Sequence, residues 1–450
     1  MAPQVAEEVP TETDDQKRNG VVVDIRPGKV RTKLNHQQVV GFWGAWAGWT
    51  LDGMDSVIYA LVLAPALTEL LPRSGIRATP ATIGSFGSIL FALFLVGWGC
   101  SFLWGPLADR FGRKNVLAAT ILTYAVFSGA AALSQNIWEL ALFRLLAGIG
   151  IGGEWAMAGT YVAECWPEDR RKMGAGYLHT GYYAGFFLAA ALNYTVGAHF
   201  GWRAMFLCGL TPVVVAVLIR RGLVETPKWQ RKHASARTHP LALIFHPQHR
   251  RQTLVMAALL TVAIIGLWGG AVYEPTALIM LSKKVGMTQP QAVRMASLGT
   301  GILSLGTILG CIVLPLIAER IGRRRTLSIY FGLMLVSLIL AFGWAFYLPA
   351  ARALPAFLVV LFFLGIGGAN FTMFTLWLPE LFPTEIRATA FAFCTSFGRF
   401  IGAGVNFILA AAVAHTGTIG TPVAWTAVAF AIGLLVIPFG RETIGEVLPE

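Results

Sequence analysis

Long apolar stretches follow one another along almost the whole chain. Each is long enough to cross the roughly 30 Å hydrocarbon core of a bilayer, which takes about 20 helical residues. Twelve can be placed, at about 38–67, 83–105, 115–133, 137–163, 173–198, 204–221, 253–281, 291–317, 326–348, 354–378, 388–413 and 420–440. Of the 450 residues, 56% are apolar and only 13% charged, where a soluble protein carries about a quarter charged residues. In lipid a helix satisfies its own backbone. The predicted state is therefore an all-α membrane protein with twelve transmembrane helices.

The net charge of +12 would suit a nucleic-acid partner, but its distribution argues for topology instead. With the N-terminus inside, 26 Lys and Arg fall on the cytoplasmic side and 7 on the outer side. Arg144 and Arg399 lie within spans. This bias predicts both termini in the cytoplasm of a cell (inner) membrane protein, with the bilayer and no nucleic acid as its surroundings. The polar N-terminal segment carries no apolar signal core and reads as a flexible tail.

Three motifs recur in the same order. GPLADRFGRK (Gly105 to Lys114) returns about 210 residues later as PLIAERIGRRR (Pro315 to Arg325). Arg110, Gly112 and Arg113 match Arg320, Gly322 and Arg323, with Asp109 replaced by Glu319. Glu164 and Arg171 return as Glu380 and Arg387, and Glu225-Thr226 as Glu442-Thr443. The order implies two pseudo-symmetric six-helix bundles, the layout of a transporter with its site between them. The predicted boundaries are a tail at 1–35, a bundle at 36–221, a basic linker at 222–252, a bundle at 253–441 and a tail at 442–450. Cys100, Cys165, Cys208, Cys311 and Cys394 show no CxxC spacing, so neither a disulfide nor a cysteine metal site is expected. No metal, cofactor or catalytic motif is expected either.

These motifs, with Arg144-Leu-Leu-Ala-Gly148 and PELFPTEIRA (Pro379 to Ala388), resemble signatures of the major facilitator superfamily over about residues 38–445. Asp52-Gly-Met-Asp55, Gly152-Gly-Glu154-Trp155 and AECWPEDRRK (Ala163 to Lys172) narrow the resemblance to the proton-coupled symporters of sialate, monocarboxylates and aromatic acids. The resemblance implies alternating access, proton symport of a small organic anion, and a monomer. The alternatives are a neutral-sugar porter, because RETIGEVLPE (Arg441 to Glu450) resembles sugar-porter endings, or an exporter.

An ionisable residue at mid-bilayer is costly, by at least about 2.5–3.5 kcal/mol, and usually faces a cavity. Asp52 and Asp55 share a face of the first span with Tyr59 a turn on. Two carboxylates so close cannot both hold their charge easily, which suits a proton carrier; one of them can instead serve as a structural partner. Glu154, an acid with no basic partner within one helical turn, needs a proton or a partner from another helix and is a further proton-coupling candidate; the glycines of its run, Gly148 to Trp155, read as packing residues. Arg144 cannot deprotonate and needs a carboxylate or water. The family resemblance gives it a role in proton coupling; structurally, it can snorkel to the interface.

Arg399 has no acid near it in its own span, and a planar fork of donors suits a substrate carboxylate. The resemblance to the aromatic-acid group implies the same anchor, while an ion pair with Glu274 is the structural alternative. His179, Tyr182, Tyr183, Phe186 and Asn193 share one face of the fifth span. Trp268, Tyr273 and Glu274 cluster in the seventh, and the tenth offers Asn370 and Trp377. His179, Tyr182, Tyr183, Asn193, Trp268, Glu274 and Asn370 are candidate substrate contacts, though aromatic stripes also pack. Gly105, Asp109, Arg110, Gly112, Arg113, Glu164, Arg171, Glu319, Arg323, Glu380 and Arg387 are expected to form gating latches. The second copy, with Glu for Asp and Pro for Gly, is expected to hold less firmly.

Overall fold

A computed structural model describes residues 32–104, 113–152, 155, 166–214, 240–446 and 449. Every regular element among the described residues is helical. In chain order they are α1 (His36–Arg73), α2 (Pro80–Gly99), α3 (Arg113–Ala130), α4 (Ile137–Ile151), α5 (Glu168–Leu192) and α6 (Ala198–Cys208). Then come the short α7 (Pro240–Ile244), α8 (Arg250–Ala271), α9 (Glu274–Lys284), α10 (Gln289–Ile321) and α11 (Arg323–Leu338). The last are α12 (Ala350–Gly368), α13 (Phe371–Leu381), α14 (Thr384–Thr416), α15 (Gly420–Trp425) and α16 (Ala427–Val436).

Local chemistry sets the starts. Asn35 accepts from the Gln38 amide at 2.8 Å while the Gln38 side chain accepts from the Asn35 amide at 2.9 Å, a reciprocal cap that opens α1. Thr79 and Pro80 open α2 in the same way. Eight helices among the described residues are long and apolar enough to cross a membrane. Their outward faces are greasy: Ile408 is 70% exposed and Leu435 73%. Such surfaces would aggregate in water and are at home in lipid.

Several of the predicted spans are broken rather than continuous. The seventh splits into α8 and α9 around Val272 and Tyr273, and the tenth into α12 and α13 around Ala369 and Asn370. The helices that carry candidate residues press closely together. A Cβ at Gly53 of α1 would overlap the Tyr182 carbonyl of α5, and one at Gly185 would overlap the Thr50 carbonyl. This contact sets the acids of α1 beside the aromatic face of α5. In addition, α2 lies along α14 and α5 along α10, so the early and late parts of the chain meet at its centre.

Candidate functional site

The centre holds a small cavity lined by Trp49, Trp98, Trp155, His179, Tyr182, Tyr183, Ile264, Leu267, Trp268, Phe371 and Arg399. Its volume, about 20 Å³, is room for roughly one water molecule. Any organic substrate must therefore push the walls apart or enter after they have moved.

Arg399 of α14 is 4% exposed. Its guanidinium carbon lies 4.1 Å from the Trp98 ring centre and 5.6 Å from that of Trp155, an arrangement that favours a cation over an indole face. No carboxylate among the described residues forms an ion pair with it. The alternative partner, Glu274, is engaged elsewhere: its Oε2 accepts from Thr300 Oγ1 at 2.9 Å. The alternative Arg399–Glu274 pair is thus absent, and Glu274, at the helix break, turns toward α10 instead.

The other predicted contacts divide. His179, Tyr182, Tyr183 and Trp268 line the cavity, whereas Asn193, Glu274 and Asn370 do not. His179 Nε2 meets Thr375 Oγ1, which also accepts from Trp155 Nε1 at 3.3 Å. Tyr182 packs on Trp49 with ring centres 4.7 Å apart. The Tyr183 hydroxyl donates to the Gly368 carbonyl at 3.2 Å. Asn193 sits in a π-helical turn and donates to Ser297 Oγ at 3.0 Å. Asn370, at the α12–α13 break, donates to the Gly367 carbonyl at 2.9 Å. Trp377 turns away from the cavity and donates to the Arg441 carbonyl at 3.0 Å. Both asparagines are held by helix irregularities, which a regular helical wheel does not anticipate.

Asp52 and Asp55 of α1 are buried, at 0% and 1% exposure, but turn to different neighbours. Asp55 Oδ2 accepts from Ser128 Oγ of α3 at 2.8 Å and lies within electrostatic reach of Arg144. Asp52 is within electrostatic reach of Tyr182 at the cavity wall. Arg144 does not snorkel. It is 0% exposed, its guanidinium carbon is 4.4 Å from the Tyr59 ring centre and 4.2 Å from that of Phe94, and none of its three nitrogens makes a hydrogen bond among the described residues. Its charge is therefore met through space by Asp55 and by two aromatic faces.

Of the motif residues, Gly105, Asp109, Arg110, Gly112, Glu154 and Glu164 lie outside the described residues, as does the side chain of Arg113. The second copy is described in full. Arg323 grips Glu380 with two hydrogen bonds, Nε to Oε2 at 3.0 Å and a terminal nitrogen to Oε1 at 2.9 Å. Glu319 pairs with Arg323 at 2.8 Å and with Lys172 of α5 at 3.1 Å. Arg171 of α5 reaches Glu380 at 3.6 Å. Arg387 donates to the carbonyls of Pro379 and Phe382, each at 3.2 Å, and of Pro449 at 2.8 Å. Glu442 accepts from the amides of Arg323 and Arg324 at 2.9 and 3.1 Å, capping α11. Thr443 donates to Glu380.

Sequence reasoning did not place Lys172, Glu442 or Thr443 in this network, nor Trp49, Trp98 and Phe371 in the cavity wall. The Glu442-Thr443 repeat was the available signal for the network, and Trp49, one turn before Asp52, for the cavity. Among the described residues, no cluster of His, Cys, Asp and Glu could hold a metal ion.

A helical chain with lipid-suited outer faces, a central cavity and charged networks at its ends is a multi-pass membrane transporter, not an enzyme. A model of the major facilitator superfamily matches residues 45–313, and the chain belongs to that family. A second model, described as sugar (and other) transporter, matches residues 248–450. A probable 4-methylmuconolactone transporter of Cupriavidus pinatubonensis is 31% identical, covering 91% of this chain and 94% of its own. The sialic acid transporter NanX of Escherichia coli is 25% identical, covering 92% and 96%. The solved structure of the proton:xylose symporter XylE superposes with a TM-score of 0.70 at 18% identity, covering 92% of this chain and 98% of that one; this likeness speaks for the fold.

Proposed function

We propose that this transporter is a proton-coupled symporter of a small organic anion, working by alternating access, with the substrate carboxylate bound on Arg399. The observation that carries this is a guanidinium buried in the cavity wall between two indoles with no carboxylate partner among the described residues. Such a charge is costly until an anion meets it, and its planar fork fits a carboxylate bidentately. Relatives named for sialic acid and 4-methylmuconolactone support the substrate class. Asp52, Asp55 and Arg144, with Glu154, are the proton-handling groups in this reading. One proton moving with one monoanion transfers no net charge, so the pH gradient rather than the membrane potential drives uptake.

The fuller architecture belongs to the same proposal. Twelve spans form two six-helix bundles at 36–221 and 253–441, joined by a cytoplasmic linker at 222–252, in a monomer with both termini inside. The basic-residue distribution supports it. The Arg323–Glu380–Arg171 and Lys172–Glu319 contacts join α5 to the α10–α13 side and act as the latch that parts when the cytoplasmic side opens.

A neutral sugar is the second reading, favoured by the sugar-transporter model over the C-terminal part. Uptake into proteoliposomes with an acidic exterior, over a panel of aromatic, sialic and short-chain acids and neutral sugars, separates the two. Accumulation of a sugar with no accumulation of any acid refutes the anion assignment.

A further inference from the structure

Glu274 lies six residues past the cavity residue Trp268, at the point where α8 stops and α9 begins. It is 1% exposed. Thr300 supplies one hydrogen bond to Oε2, while Oε1 is buried with no hydrogen-bond partner among the described residues. Space for that second oxygen is made by Gly299 of α10: a Cβ there would lie 2.6 Å from it. The pocket is thus shaped around the whole carboxyl group but provides a donor for only one side of it.

No positive charge among the described residues answers it. On the elements packed against α9, α1 brings Asp52 and Asp55, of the same sign, beside the phenol of Tyr59, and Glu69, which pairs with Arg73 and Arg203. Arg294 of α10 turns to His199, and Lys284 of α9 lies over Phe346. Lys283 of α9, Arg352 of α12, Glu319 and Arg320 of α10 and Arg250 and Arg251 of α8 sit at helix ends, and none pairs with Glu274. Facing α2 carries no titratable group. The start of α9 offers a helix dipole that favours an anion. That and one hydroxyl fall well short of what an isolated carboxylate loses on leaving water, so such a group takes up a proton instead.

We propose that Glu274 is a second proton-binding site, filled when α9 closes against α1 and α2 and emptied when it opens. The neighbouring Tyr273 supplies the coupling: its hydroxyl donates to the Gly84 carbonyl of α2 at 3.4 Å. Closure therefore seats Tyr273 on α2 and removes Glu274 from water in one movement. The ligand is a proton from the outer solution, taken by the carboxylate to give the neutral acid. This rests on the alternating-access reading above, to which it adds the movement of α9, but not on the identity of the substrate.

The test reads the gate directly. Spin labels at Arg73 and Lys284, both exposed at the ends of α1 and α9, report the distance between them in the substrate-free protein in liposomes. The expected result is a closed population that declines about tenfold per pH unit once Glu274 ionises. Glu274→Gln should hold the gate closed at alkaline pH, within about twofold of its acid value. Glu274→Met, also neutral and of similar length, is the second variant. A wild-type gate that ignores pH overturns the proposal, as does a neutral variant with the wild-type profile. Failure of both variants to assemble overturns it too, because a site that holds a neutral acid accepts neutral side chains of its length. Exchange of labelled acid at equal pH on both sides runs alongside. Loss of exchange with every acid in the wild type, with the gate still following pH and Glu274, sinks the substrate assignment and leaves the proton site standing.

Discussion

Arg323 and Glu380 bind each other through two parallel hydrogen bonds of 2.9 and 3.0 Å, with both side chains fully buried. Arg171 and Thr443 lean on the same carboxylate. Removing Glu380 leaves two buried guanidiniums facing each other. Glu380→Ala is expected to cost about 3–5 kcal/mol of stability, read as a lower unfolding temperature in detergent. An unchanged transition would show that the cluster is solvated in the working protein.

Gly322 is where α10 turns into α11, at φ +93°, and a Cβ there would lie 2.6 Å from Glu442 Oε2. Both the backbone and the cap disfavour any other residue. Gly322→Ala should destabilise by more than about 1 kcal/mol. Gly332→Ala, in the middle of α11 with open space around its Cβ position, is the control and should be neutral or mildly stabilising. Equal effects in the two variants would refute the argument.

Arg399→Lys keeps the charge and loses the planar fork, so the apparent KM for an acid should rise. Arg399→Ala should weaken binding by roughly ten- to hundredfold, the equivalent of about 1.5–3 kcal/mol for a charged hydrogen bond. Substrate affinity in the two variants decides the point. No change in Arg399→Ala removes this residue from the anchor.

Asp52 and Asp55 should separate in function. Asp52→Asn is expected to abolish accumulation against a gradient while exchange continues. Asp55→Asn removes the carboxylate nearest in effect to the buried Arg144, so its first symptom should be lost stability or yield. Uphill uptake, exchange and thermal unfolding measured on both variants test this. Proton-driven uptake at the wild-type level in Asp52→Asn excludes Asp52 from coupling.

Reporter fusions at either end test the topology. Both should score cytoplasmic, as the 26-to-7 distribution of basic residues predicts. An external signal from either terminus contradicts it.

The helical membrane class was legible because the apolar runs are long and the charges few. The family was legible because its motifs are local strings such as Gly105 to Lys114. What the sequence hid depends on departures from helical regularity. A continuous seventh helix would carry Trp268 and Glu274 about 120° apart on one rod; the break at Val272 and Tyr273 starts a new helix at Glu274, whose side chain meets Thr300. Asn193 is displaced in the same way by the π-helical turn. The cavity wall was hard to see for another reason: nothing local marks Trp98 or Trp155 as a cavity residue until Arg399, from a helix more than two hundred residues on, comes to rest against them. Snorkelling of Arg144 to the interface stayed open on the sequence because its span starts at Ile137, yet the aromatic rings of Tyr59 and Phe94 flank it in a buried position.

Four indoles, those of Trp49, Trp98, Trp155 and Trp268, surround a space scarcely larger than a water molecule. The protein therefore carries its own optical reporter. An anion drawn to Arg399 must contend with the Trp98 face, and the emission of that ring depends on the charge and wetness beside it. Ligand discovery can proceed by native fluorescence on unlabelled protein, with Trp98→Phe marking how much of the signal arises at the anchor itself.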